Sequence, residues 1–330
     1  MTPANVRPAQ HVRVVYTGGT IGMQASGNGL APASGFEERM RARLTENMPT
    51  WSFHEMVPLI DSANMTPTHW QRLRESVLQA VDIDGCDAVL ILHGTDTLAY
   101  SAAALSFQLL GVPVPVVFTG SMLPAGVPDS DAWENLEGAF SGLSQGMEPG
   151  VHLHFHGEWL KPTRCAKVRS FGRHPFATLR RNQGAARADS IPAQLDLRRP
   201  RQLARIGILP LYPGFSAQPL QAILQSGIQA LVLECFGSGT GPCDDAAFVQ
   251  TLKQAQDNGI AVVAITQCQE GGVELDVYEA GSRMREVGVL SGGGMTREAA
   301  FGKLHALLGA GLPLAEVRRL MELDLCGELV

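Results

Sequence analysis

Two short polar segments hold residue types that could do chemistry. The first is Tyr16-Thr17-Gly18-Gly19-Thr20-Ile21-Gly22-Met23, where two hydroxyls flank a glycine pair. Glycines open backbone angles closed to other residues and let another molecule approach the main chain. Thr17 and Thr20 therefore stand where a nucleophile could work. The second segment is His93-Gly94-Thr95-Asp96-Thr97. A hydroxyl nucleophile needs a proton acceptor, and Lys167, an ammonium that Asp96 could hold in place, is a candidate. A third set, His152, His154 and His156 with Glu158 two residues on, alternates along an apparent strand. That spacing puts imidazoles on one face, where HxH pairs can ligate zinc.

Each segment also has a plainer reading. Gly18, Gly19 and Gly22 form a simple turn after a strand, or part of a phosphate loop that lacks both the full GxGxxG spacing and a Walker lysine. Thr95, Asp96 and Thr97 suit the capping of a helix N-terminus. A single lysine is usually solvated, and three imidazoles can sit on a sheet face covered by a helix. On residue types alone these alternatives stay open.

The positioning elements are easier to read. Apolar runs recur at Val12–Tyr16, Ala88–Leu92, Val114–Phe118, Val151–Phe155, Ile206–Leu211, Ala230–Glu234 and Ala261–Thr266. Helical spacing lies between most of them. One helix opens at Thr66-Pro67 with Trp70, Leu73, Val77 and Leu78 on one face, and others span Leu98–Leu110, Asp244–Gln256 and Thr296–Leu308. Alternating strands and helices predict an α/β fold with a mostly parallel sheet covered on both faces. The polar segments Thr17–Thr20 and His93–Thr97 both follow strands, where open parallel sheets bind ligands. They converge only if their strands are near neighbours. A polar, Pro-containing stretch divides a larger N-terminal domain, 1–190, from a smaller C-terminal α/β domain, 206–330, with 191–205 as the linker.

Composition narrows the function classes. The 330 residues carry 26 Lys+Arg against 32 Asp+Glu, a formal charge of −6 that offers no footprint for nucleic acid. No apolar run approaches the roughly 20 residues of a membrane span, and residues 1–10 lack the apolar core of a signal peptide. The six cysteines include no CxxC pair, so neither a zinc ribbon nor a disulfide framework is expected. A reduced, cytoplasmic protein fits these features.

Five segments together carry a family resemblance: TGGTIGM at 17–23, DSANMTP at 61–67, ILHGTDTLAYSAAALSF at 91–107, TGSMLP at 119–124 and TQC at 266–268. In this order they resemble the bacterial L-asparaginase family, and within it the type I, cytoplasmic branch. The resemblance implies an asparaginase/glutaminase-like fold of two α/β domains, assembled as a homodimer or homotetramer. It also implies hydrolysis of L-asparagine to L-aspartate and ammonia with no metal or cofactor. Carried over by position, Thr20 is the nucleophile, and Thr95, Lys167 and Asp96 form a proton relay. Gly19, Asp61, Ser62, Gly94, Ser121 and Met122 line the substrate pocket, Ser62 with the backbone around Asp61 holding the α-carboxylate and Asp96 the α-ammonium. Glutaminase or other small-amide activity is the nearest alternative, because one methylene shifts substrate binding by only about 1–3 kcal/mol. A metal-dependent hydrolase built on the three histidines and a non-catalytic amino-acid sensor are more distant ones.

Three departures from the family pattern stand out. Leu30 holds the place of a mobile-loop Tyr, and Thr240 stands where Asn is common in a loop, Phe236–Gly241, that contacts the neighbouring subunit. Some type I members bind a regulatory asparagine through an Arg, a Thr and a Cys. Here Cys268 remains, but Glu234 and Ala166 take the other two places, so no cooperative activation is expected.

Overall fold

The structure, a computed structural model, describes residues 6–27, 29–44, 48–179 and 185–329. The chain divides into two compact units, Met1–Thr178 and Leu179–Val330.

In the first unit, β1 (His11–Gly18) leads into a short hairpin, β2 (Gln24–Ser26) and β3 (Gly29–Ala31), then α1 (Phe36–Arg43) and the long strand β4 (Thr50–Ile60). Next come α2 (Pro67–Asp82), β5 (Ala88–Leu92), α3 (Leu98–Gln108), β6 (Pro115–Thr119), α4 (Ala132–Gln145) and β7 (Gly150–Phe155). Three short strands follow, β8 (Glu158–Leu160), β9 (Cys165–Lys167) and β10 (Phe176–Thr178). The main sheet has the order β4-β1-β5-β6-β7-β8 and is parallel up to β7, with β8 antiparallel to it.

The sheet's middle is apolar because both faces are covered. All five residues of β5 are buried, and α3, rich in Ala and Leu, is buried nearly all round. Strand β4 has no such signature. It lies at the sheet edge, where Pro58 is tolerated, and its two faces differ: Trp51 and Phe53 pack on the core, while His54 is exposed on the other side. α2 begins as its sequence predicts. Pro67 takes the first turn, and the Thr66 N–H donates to His69 Nδ1 at 3.0 Å. Its buried face is Trp70, Leu73, Val77 and Ala80; Leu78, expected there, lies off the stripe and is half-buried. The Trp70 indole N–H donates to Ser101 Oγ at 2.8 Å, locking α2 to α3.

The second unit alternates in the same way: β11 (Ile206–Pro210), α5 (Ala217–Gln225), β12 (Ala230–Cys235), α6 (Ala246–Asp257), β13 (Ala261–Thr266), α7 (Glu279–Glu286), β14 (Leu290–Ser291), α8 (Arg297–Gly309) and α9 (Leu314–Met321). Its parallel four-stranded sheet runs β11-β12-β13-β14. Side-chain caps begin two helices: Asp245 accepts from Ala247 N at 2.9 Å for α6, and Thr296 from Ala299 N at 3.0 Å for α8. The tail after α9 is held from within. Lys303 of α8 and Glu328, both wholly buried, form an ion pair at 2.7 Å. Lys303 also donates to Leu323 O at 2.6 Å, and Glu328 accepts the Leu325 and Cys326 N–H groups at 2.9 Å each.

Candidate active site

β1 and β5 are direct neighbours, paired in parallel from Val12↔Ala88 to Tyr16↔Leu92. The two polar segments therefore leave the same sheet edge side by side, which is the condition for them to converge. An irregularity between Tyr16 and Gly18 turns the end of β1, and the Thr17 hydroxyl ties it down by donating to Leu92 O at 3.0 Å. The chain then folds into a 3₁₀ turn over Thr20–Gly22.

The approach of the two loops requires glycine. Gly19 has φ 81°, and a Cβ there would lie 2.4 Å from the Cα and N of Gly94. A Cβ on Gly94 would in turn lie 2.5 Å from Ser62 Oγ. Two loops thus meet backbone to backbone at Gly19 and Gly94, and the Ser62 side chain of a third packs against Gly94, with Thr20 and Thr95 next in sequence to the two glycines. Ser62 begins a second 3₁₀ turn, capped by Asp61, whose carboxylate accepts from Ala63 N at 3.2 Å. The Thr97 hydroxyl donates to Ser62 O at 2.8 Å, fastening this turn to the start of α3.

Lys167 reaches the junction from β9, which pairs with β10. Its Nζ donates to Thr95 Oγ1 at 2.9 Å and to Asp96 Oδ1 at 2.7 Å. Thr95 is buried, Lys167 is 19% exposed at its side chain and Asp96 62%. The hydroxyls nearby are sorted by their partners. Those of Thr17, Thr97 and Ser121 are spent on main-chain carbonyls. Among the described residues the hydroxyls of Thr20 and Ser62 have no hydrogen bond.

Supporting residues shape the site. His93 is wholly buried, and its Nδ1 lies 2.7 Å from Gly94 O. A carbonyl only accepts, so the proton is on Nδ1. Burial pushes the imidazole pKa down to about 4 despite that bond, so His93 is neutral at pH 7. The loop carrying Ser121 and Met122 is clamped by Asp131, also wholly buried, which takes the N–H of Met122 at 2.9 Å and of Leu123 at 3.0 Å. Asn135 extends the clamp by donating to Gly120 O at 2.9 Å. Sequence reasoning missed both residues. An Asp before a helix normally caps that helix; this one faces a loop nine residues back, which no local pattern announces. Arg39 was missed too. Its Nη2 donates to Gly22 O at 3.0 Å and steadies the turn that begins at Thr20.

The histidine set does not form the single strand face expected of it. His152 and His154 lie in β7, with ring nitrogens at 2.9 Å from Glu148 O and 3.2 Å from Asn135 O. His156 has left the strand at φ 48° and stacks edge-on against His174, while Glu158 begins β8. A left-handed turn after Phe155 is what the period-two reading could not foresee. Among the described residues no three His, Cys, Asp or Glu side chains converge as a metal site. Leu30 lies on β3, 55% exposed and paired with Ala25. Thr240 closes a turn onto Phe236, whose N–H donates to Thr240 O at 3.0 Å.

Residues 11–197 match the family described as "Asparaginase, N-terminal", and residues 205–321 match "Glutaminase/Asparaginase C-terminal domain". This chain belongs to the asparaginase family. It is 37% identical to L-asparaginase 1 of Escherichia coli K12 over 96% of this chain and 97% of that protein. Among solved structures, the asparaginase of Thermococcus kodakarensis superposes with a TM-score of 0.84 at 32% identity, covering 97% of this chain and 99% of the other. L-asparaginase I of Vibrio cholerae superposes at 0.81 with 33% identity, over 98% and 99%. The two-domain asparaginase fold expected from the sequence is thus the fold of this chain, its sheets belonging to the same architecture as those structures. Among the described residues no helix is long and apolar enough to cross a membrane.

Proposed function

We propose that this chain hydrolyses the side-chain amide of L-asparagine to L-aspartate and ammonia. The observation that carries the reading is the Lys167 Nζ, 2.9 Å from Thr95 Oγ1 and 2.7 Å from Asp96 Oδ1, on a loop packed against Gly19. An amide is a poor electrophile, so its cleavage needs an activated nucleophile, donors for the developing oxyanion and a proton for the leaving nitrogen. Thr20 Oγ1 attacks the amide carbon, and its proton moves through Thr95 and the Lys167–Asp96 pair to the departing ammonia. The resulting Thr20 ester is opened by water, whose hydroxyl joins the acyl carbon while its proton restores Thr20. The balance closes with water as the sole co-substrate.

Main-chain N–H groups around Gly94 serve the oxyanion, each donor worth about 3 kcal/mol. Ser62 and the backbone at Asp61 hold the α-carboxylate, Asp96 the α-ammonium, and Ser121 with Met122 borders the carboxamide. The six cysteines are free thiols, which suits a reducing cytoplasm, and the working form is a homodimer or a dimer of dimers. Kinship with the asparaginases supports the reaction; the free Thr20 hydroxyl beside the relay supports the assignment of roles. An ammonia-release assay over L-Asn, D-Asn, L-Gln and β-aspartyl amides, run on wild type and Thr20→Ala, tests both. Release from L-Asn that survives Thr20→Ala removes the nucleophile; no release from any amide removes the function.

A further inference from the structure

Away from the strand ends that form the candidate active site, the edge strand β4 and helix α2 line an open cavity of about 270 Å³. Side chains alternate across a strand, so His54 faces away from the core-packed Trp51 and Phe53. Arg13 enters from β1, and Arg72, Glu75 and Gln79 from α2.

The lining is rich in unused donors. Arg13 gives Nε to Ser52 Oγ at 2.8 Å and Nη2 to Asp84 at 2.9 Å. Arg72 gives Nη2 to Val57 O at 2.7 Å. Among the described residues the other guanidinium nitrogens of both arginines, and both ring nitrogens of His54, have no hydrogen-bond partner. Glu75, the acid of the lining, is exposed and forms no ion pair with either arginine. Arg13 is already ion-paired to Asp84, so among the described residues Arg72 is the lining's cation without a carboxylate partner; the spare nitrogens of both guanidinium groups, an imidazole and an amide are the donors left to a ligand. Burial first, then Arg13 and Arg72, lower the His54 pKa.

We infer that this cavity binds a small oxyanion, a carboxylate or a phosphate, between the guanidinium groups of Arg13 and Arg72, with His54 and Gln79 as neutral donors. Planar guanidinium forks match both anions. The site is independent of the amidohydrolase reading and stands or falls separately from it.

Isothermal titration of the full chain with sodium phosphate and with sodium succinate, against sodium chloride at matched ionic strength, tests it. Saturable one-site binding of at least one of the two is expected, and which one binds separates a phosphate from a carboxylate ligand. Arg72→Gln should weaken that binding at least tenfold. Because Arg72 also holds Val57 O, Gln79→Glu is the second variant; it adds a negative charge at an exposed helix position and should weaken binding by a similar factor with an unchanged melting temperature. Absence of saturable binding, or an affinity unchanged in Gln79→Glu, overturns the proposal; in the latter case the anion sits elsewhere, the active site included.

Discussion

Lys167 meets Thr95 across 71 residues of intervening chain, Nζ to Oγ1 at 2.9 Å, and the same ammonium is held by Asp96 at 2.7 Å. Both contacts come from one short strand, β9, aimed at one loop end after β5. If the three side chains act as one relay, their removals will not add. Thr95→Val and Lys167→Met should each lower kcat by about 10²–10⁴, and the double variant should be little worse than either alone. Multiplying losses in steady-state assays of the three variants would show that the residues act independently.

Thr17 and Thr20, similar in sequence context, should behave as opposites. Thr20→Ala is expected to cut turnover by more than about 10⁴-fold while leaving the unfolding midpoint near wild type. Thr17→Val leaves the Leu92 carbonyl without its buried donor, at a cost of about 1–3 kcal/mol in stability. Denaturant melts read beside ammonia release separate the two effects.

Acid should destabilise the fold before most carboxylates titrate. Burial depresses the pKa of His93 and of His305 to about 4, below the ordinary 6.5. A depressed histidine pKa means the unfolded chain takes the proton first. The stability it contributes is therefore complete above pH 6.5 and declines as pH falls toward 4, by up to about 3 kcal/mol per residue. His305→Gln should flatten that decline. Stability that rises between pH 6.5 and 4.5 would contradict the sign.

The buried pair at the end of the chain gives a fourth test. Burial opposes the charged form of Glu328, but the Lys303 ammonium and the N–H donors around it outweigh burial and lower its pKa. Lys303→Met strands a buried carboxylate and should cost about 3–5 kcal/mol, whereas Lys303→Met with Glu328→Gln should recover much of it. Urea midpoints of the two variants decide.

The family resemblance bears on regulation. By that resemblance Glu234 is expected at the place of a regulatory-site Arg, and in the structure Arg297 holds both of its carboxylate oxygens, Nη2 at 2.8 Å from Oε2. A carboxylate so engaged offers nothing to a ligand's own carboxylate. The rate should therefore rise hyperbolically with asparagine, and a Hill coefficient well above 1 would refute this.

Several features were legible before folding. The apolar runs that became β5, β6, β12 and β13 are strongly patterned because each strand is buried along its whole length, and β1, β7 and the partly exposed edge strand β11 still carry enough apolar residues to read. β4 escaped notice because an edge strand with Pro58 and two dissimilar faces carries no such pattern. The His152, His154 and His156 reading failed at one residue, since a turn at His156 breaks the alternation that the reading assumed.

Residue type and order by themselves determined the α/β class, the family, and which hydroxyls, carboxylates and amine are available for chemistry, because these follow from local pattern and motif. Only the tertiary structure decided which of them are free. Parallel pairing of β1 with β5 brought Gly19 against Gly94, and the same packing spent Thr17, Thr97 and Ser121 on carbonyls while leaving Thr20 and Ser62 unbonded among the described residues. Hydrogen-bond partners distant in sequence leave no local trace, and for that reason the clamp of Asp131 on Met122 and the reach of Lys167 to Thr95 emerge only from the folded chain.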